Sequence, residues 1–141
     1  MATERIRVMC VDDNPLVAEG VRIKLNMEGG FEWAGHRHTA DDLCDWVRRW
    51  KPDIVLLDID MPGADALTSL AELAEAVPDT KTVILSGYSQ EDFLERAIAA
   101  GAWGYVSKND GPDQVVQAIR LAADGKFAFG QTVLQQCIGG R

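Results

Sequence analysis

Three carboxylates, a hydroxyl and a lysine stand at the ends of short apolar runs in this chain. Asp12 and Asp13 follow Ile6–Val11. Asp58 ends the run Ile54–Leu57, and Asp60 comes two residues later. Ser86 follows Thr82–Leu85, and Lys108 follows Trp103–Val106 after one intervening serine. Three carboxylates brought together repel, and each raises the pKa of the others. A hard divalent cation resolves that conflict. Magnesium takes oxygen ligands, keeps some of its waters and can bind a phosphate at the same time. A lysine adds a point charge suited to a phosphoryl oxygen, and a hydroxyl can donate to another oxygen of the same group. Together these groups are the equipment for phosphoryl transfer to a carboxylate, where catalysis is mostly positioning and charge neutralisation.

Each group alone has an ordinary reading. Asp12-Asp13 would equally favour the N-terminus of a following helix through its dipole. Lys108 and Ser86 alone belong to residue types that are mostly exposed. The weight lies in their joint occurrence at four run ends, in this order.

The elements that must position them follow from the pattern. Ile54–Leu57 shows no alternation, so it reads as a strand buried on both faces, as in the middle of a parallel sheet. Pro62-Gly63 is a turn signal. Asp58 then sits at the carboxyl edge of a central strand, where open α/β sheets place their ligands. A carboxylate at the margin of a core is costly unless something pairs with it. Ile6–Val11 is the first strand. Asn14-Pro15 caps a helix carrying Val17, Val21 and Leu25 on one face, which Gly29-Gly30 ends. Phe31–Gly35 reads as the second strand. Thr39-x-x-Asp42 resembles a capping box for a second helix with Leu43, Trp46, Val47 and Trp50. Ala64–Val77 carries leucines at helical spacing up to Pro78. Ser89 caps a fourth helix and Gly101 follows it. Gly111-Pro112 opens a fifth helix with Val115, Val116, Ile119 and Ala122, and Gly125 stops it. Residues 126–141 form a short appendage with a weak helix signal at Val133–Gln136. Five strand–helix units in strict alternation imply a parallel sheet with right-handed crossovers.

The 141 residues suit one domain with a sizeable core. A hydrophobic content of 47% with 26% charged residues excludes a disordered chain. The net charge of −8 argues against this segment itself gripping nucleic acid or an anionic membrane. Cys10, Cys44 and Cys137 show no metal-ligand spacing and read as reduced thiols, as in the cytoplasm. The start lacks the apolar core of a signal peptide, and no apolar run has the length of a membrane helix.

The motifs Val11-Asp12-Asp13-Asn14-Pro15, Asp58-Ile59-Asp60-Met61-Pro62-Gly63, Ser86-Gly87 and Gly104-Tyr105-Val106-Ser107-Lys108 resemble the receiver domain of two-component response regulators. The likeness spans roughly residues 5–125. Leu16-Val17-x-Glu19-Gly20-Val21 and Ala100-Gly101-Ala102 look like its NarL/FixJ (LuxR-type) branch. The resemblance implies a flavodoxin-like (βα)5 fold, a doubly wound parallel sheet of order 2-1-3-4-5. It implies Asp58 as the acceptor of a phosphoryl group from a histidine kinase. It implies magnesium held by the side chains of Asp13 and Asp58 and the backbone carbonyl of Asp60, with Asp12 holding a metal-bound water. Lys108 would contact the phosphoryl group, Ser86 would close on it, and Tyr105 would be the aromatic that swings inward when Ser86 moves.

On this view residues 1–125 are the receiver, and residues 126–141 are an extension or the start of a linker to a DNA-binding output domain outside this chain. Any DNA contact would come from that domain, and transcription would be the controlled process. The chain would phosphorylate itself and slowly lose the group, rather than turn over a substrate. Phosphorylation would change the affinity of one face for a second copy, either helix four with strand five and helix five, or helices one and five. Bulky Tyr88 is expected to shield the phosphoaspartate partly, and Ala66 replaces a frequent glycine. Alternatives are a stand-alone receiver acting by protein–protein binding, a degenerate binding module, and a haloacid-dehalogenase-like phosphatase. All the acids, the hydroxyl and the lysine are present, which gives no support to degeneracy. The phosphatase reading is weakened because its acid pair normally ends the first strand, not the third.

Overall fold

The computed structural model describes residues 5–61, 65–87 and 91–129, without the side chains of residues 91 and 92. In chain order the elements are β1 (Ile6–Val11), α1 (Pro15–Glu28), β2 (Phe31–Arg37), α2 (Leu43–Trp50), β3 (Ile54–Asp58), α3 (Ala66–Ala76), β4 (Lys81–Ser86), α4 (Glu91–Ala99), β5 (Gly104–Ser107), α5 (Pro112–Ala123) and β6 (Ala128–Phe129). A single 3-10 turn, Lys108–Asp110, joins β5 to α5. All strand pairs are parallel, and the sheet runs β2-β1-β3-β4-β5-β6.

The expected order of the first five strands holds, and β6 adds a sixth. Ala128 and Phe129, expected in an appendage, pair with Gly104 and Tyr105. Two residues are too few to show a period, so nothing in the sequence announced them. The weak helix signal at Val133–Gln136 and the Ser89 cap fall outside the described residues.

The apolar runs sort themselves by side of the sheet. Met9, Val11, Val55, Leu57, Ile84 and Tyr105 face α2, α3 and α4, where they meet Val47, Leu70, Leu73 and Ala97. Val8, Cys10, Ile54, Leu56, Val83, Leu85 and Val106 face α1 and α5, where they meet Leu25, Val116, Ile119 and Ala122. All five residues of β3 are buried. This explains its unbroken apolar run: a central strand covered by helices on both faces has no side to leave polar.

Local chemistry sets the element ends. Asn14 Oδ1 accepts a hydrogen bond from Leu16 N at 3.0 Å, and Pro15 takes the first helical position. Asp65 Oδ1 accepts from Leu67 N at 3.0 Å, so α3 starts at Ala66 rather than Ala64. The capping box expected at Thr39-x-x-Asp42 does not form. Thr39 Oγ1 accepts instead from Asp41 N at 3.2 Å, a local turn that competes with the helix for the same hydroxyl. Asp42 has φ +56°, makes no side-chain cap, and the helix begins after it. Arg7 ties the other end of α2 to the sheet. Its guanidinium donates to the carbonyls of Trp50 and Lys51 and pairs with Glu32.

At the bulge between β1 and β2, Gly35 has φ +150°, and a Cβ there would overlap the Trp50 ring. Among the described residues no helix is long and apolar enough to cross a membrane.

Candidate functional site

The strand register brings the motif residues to one sheet edge. Val11 is paired with Leu57, Asp58 with Leu85, and Ser86 with Ser107. Asp12 and Asp58 therefore leave the sheet at the same level, and Ser86 one residue higher.

Asp12 and Asp58 are almost completely buried, with 0% and 1% of their surface exposed, while Asp13 is exposed. Carboxylate oxygens of all three lie within 4.8 Å of one another. Asp12 Oδ1 accepts from Asn14 N at 2.8 Å. Its Oδ2 is sealed from solvent and, among the described residues, has no well-aligned hydrogen-bond donor; it faces the Lys108 Nζ at 3.3 Å as an ion pair. The Asp12 carbonyl lies 2.8 Å from His36 Nε2. A carbonyl can only accept, so that nitrogen carries the proton. Asp58 Oδ1 accepts from Asp60 N at 2.8 Å, and Oδ2 sits 3.1 Å from Lys108 Nζ.

Burial raises the Asp58 pKa above the usual aspartate range, and the charge of Asp12 adds to it. The Asp60 N–H and the Lys108 ammonium pull it down without cancelling the rise. Burial also works against the charge on Lys108. The hydrogen bond to Asp58 and the charges of Asp12 and Asp58 outweigh it, so the lysine pKa rises. Beneath them the Cys10 thiol is pushed up to about 12 by burial and then by the same two carboxylates. It is a buried neutral thiol and offers no nucleophile.

This cluster fits a divalent cation. The donor set is all carboxylate oxygen, as hard cations require. A buried carboxylate oxygen without a well-aligned donor is costly to keep, and among the described residues Asp12 Oδ2 has only the ammonium it shares with Asp58. One ammonium shared between two buried acids leaves a net negative charge for a cation to neutralise.

A second group stands beside the first. Asp60 bridges the ends of β3 and β4: its Oδ2 accepts from Gly87 N at 2.6 Å and its Oδ1 from Ser86 Oγ at 3.3 Å. Ser86 and Tyr105 are each 1% exposed. Burial raises the Tyr105 pKa, the Asp60 charge adds to that, and a hydrogen bond with Ser86 opposes it. Tyr105 is thus packed inward in this structure. Tyr88 lies outside the described residues.

The turn that aims Lys108 is itself capped. Ser107 Oγ accepts from Asn109 N at 3.1 Å, while Ser107 N donates to Asp110 Oδ2 at 3.4 Å. Ser107-x-x-Asp110 carries the spacing of a capping box, a signal that was legible in the sequence. His36 and the Asp60 side chain were not legible there. Neither has a local pattern; both depend on which strands lie side by side.

With this geometry in hand, comparison with known proteins is direct. The family profile of the response regulator receiver domain matches residues 8–120. The chain is 35% identical to the transcriptional regulatory protein YxjL of Bacillus subtilis over 129 residues, 92% of this chain and 59% of the relative. It is 34% identical to the response regulator GacA of Pseudomonas aeruginosa over 131 residues, 93% of this chain and 61% of the relative. The chain therefore spans about three fifths of the length of the curated relatives it matches. A two-component response regulator of the LuxR family from Aurantimonas sp. SI85-9A1 superposes with a TM-score of 0.91 at 28% identity, covering 98% of this chain and 99% of that one. This chain belongs to the response regulator receiver domain family, in its LuxR-type branch.

Proposed function

We propose that Asp58 accepts a phosphoryl group from a sensor histidine kinase, and that the phosphorylated receiver controls transcription through a C-terminal DNA-binding domain outside this chain. The observation that carries the reading is the buried Asp58–Lys108–Asp12 arrangement, with Lys108 Nζ 3.1 Å from one acid and 3.3 Å from the other. An oxygen of the Asp58 carboxylate forms a bond to phosphorus as the bond from phosphorus to the imidazole nitrogen of the kinase breaks. The electron pair returns to the ring nitrogen. Lys108 then has a phosphoryl oxygen to pair with in place of the carboxylate charge it faces now. The Asp60 N–H keeps the acceptor oriented at Oδ1.

Magnesium is the cation this site would take, through the side chains of Asp13 and Asp58 and the Asp60 carbonyl, with Asp12 holding one of its waters. Bound there, it would neutralise charge on the transferring oxygens. After transfer Ser86 would close on the phosphoryl group and Tyr105 would stay packed behind it, biasing a two-state equilibrium. The group's slow loss would reset the switch, so the chain is a phosphoacceptor more than a turnover enzyme.

In this reading the receiver, expected to end near residue 125, extends through β6 at Phe129, the residues after it lead toward the output domain, and the protein works in the cytoplasm. The greater length of the curated relatives supports an output domain over a stand-alone receiver. A phosphorylation-dependent homodimer would form through helices one and five. Leu16, Ile23 and Met27 are exposed along α1 at near-heptad spacing. Leu16 also lines a groove of about 240 Å³ between α1 and the start of α5, together with Val17, Gly20, Val21, Pro112 and Val115 among others.

Metal removal tests the phosphoacceptor reading. Acetyl phosphate is expected to label the protein with magnesium present and to fail in EDTA. Equal labelling in both would contradict the cation's part.

A further inference from the structure

The Asp60 carboxylate has a place of its own in the geometry. It leaves the end of β3 and is bound at the end of β4, taking the Gly87 N–H at 2.6 Å and the Ser86 hydroxyl at 3.3 Å. The corner is close-fitting, since a Cβ on Gly87 would stand only 3.3 Å from the same Asp60 oxygen. A hydroxyl and a backbone N–H converging on an anionic oxygen are the donors a phosphoryl oxygen would seek from this corner. Here an acid of the chain itself already has them. Ser86 and Tyr105 are buried at the same time and hydrogen-bonded to each other.

We infer that the Asp60 carboxylate is an internal ligand of the Ser86–Gly87 corner, holding Ser86 and Tyr105 in their inward placement before phosphorylation. Asp60 is a positioning residue in this account: it acts through Ser86 and touches no reacting atom with its side chain. With Asp60 satisfying the corner's donors, the inward arrangement needs no phosphoryl oxygen to form, and phosphorylation would stabilise an arrangement the chain can already adopt. Two features make the effect one of population rather than of folding. Asp60 is exposed, so its charge stays solvated on the outer side. Its two acceptor bonds join the tips of adjacent strands, beyond the last sheet pairs between them. The meaning given to Ser86 and Tyr105 rests on the receiver function proposed above.

The test is fluorine NMR of protein labelled with 3-fluorotyrosine, the Tyr105 resonance being assigned with Tyr105→Phe. Wild type, Asp60→Asn and Asp60→Ala are compared free and with magnesium and beryllium fluoride. The free wild-type Tyr105 resonance is expected close to the position it takes with beryllium fluoride. Free Asp60→Ala is expected to be displaced from it, with Asp60→Asn between, because the amide keeps one acceptor oxygen for two donors. Beryllium fluoride should return both variants to the wild-type position. Coincident free spectra of wild type and Asp60→Ala would overturn the inference, as would a wild-type resonance that moves as far as that of Asp60→Ala on adding the ligand. Bound beryllium fluoride gives its own fluorine signal. Its absence in wild type would refute the receiver function separately, while the free spectra still decide the role of Asp60.

Discussion

At Asp58 the protein keeps a charge where solvent supports it least. Its pKa lies above the ordinary 3.8, chiefly through burial. The folded state therefore holds the proton more tightly than the unfolded chain. The burial penalty is absent below pH 3.8 and is felt in full above the raised folded pKa. Asp58→Asn removes that charge while keeping the shape, so the metal-free variant should be more stable than wild type. An advantage of about 1 kcal/mol would raise the melting temperature by roughly 3–5 °C. Urea midpoints measured from pH 4 to 7 should show the gap widening as pH rises and then levelling. Magnesium should offset it by stabilising wild type, by about 2.7 kcal/mol at a hundredfold excess over its Kd, which is more than the gap itself, and should help the variant less. Residue types were the most legible part of the site. Asp12, Asp13, Asp58, Ser86 and Lys108 each end a run, and run ends converge in any parallel sheet. The acceptor role of the Asp60 side chain was hidden, because it depends on the β3–β4 register that places Gly87 beside it.

Among the elements, α2 and β2 show where local pattern stopped predicting. The helix was visible from Leu43, Val47 and Trp50, but its start was set by a threonine turn that took the hydroxyl a capping box would use. Gly35 lay inside an expected strand without a stated purpose; its purpose is the Trp50 ring that passes over it from the far end of α2. Gly35→Ala must push that ring away, and overpacking of this kind costs about 1–3 kcal/mol. Chemical denaturation should show this loss with an unchanged m-value. A drop under a few tenths would mean that the Trp50 contact is not a packing constraint. Strand β6 escaped notice for a different reason. Its pairing is supplied by β5, not by any period of its own, and Ala128 is buried only because the sheet edge was waiting there.

For the whole molecule, the question is how a change beside Asp58 reaches another chain. The exposed Leu16, Ile23 and Met27 of α1 and the groove toward α5 are the account's answer. Ile23→Glu should leave labelling by acetyl phosphate intact and abolish the shift to a dimer in sedimentation. A variant that still dimerises would move the contact to another face. The alternation of strands and helices made the architecture readable at this scale, since parallel order and handedness follow from it. The surface was less readable, because an apolar residue outside the core looks like any other until packing shows which ones are left over. The central claim is narrower than either and is tested by intact mass. Wild type and Asp58→Asn are incubated with acetyl phosphate and magnesium. The account predicts the mass gain of one phosphoryl group in wild type and none in the variant. No gain in wild type, or an equal gain in Asp58→Asn, would contradict it.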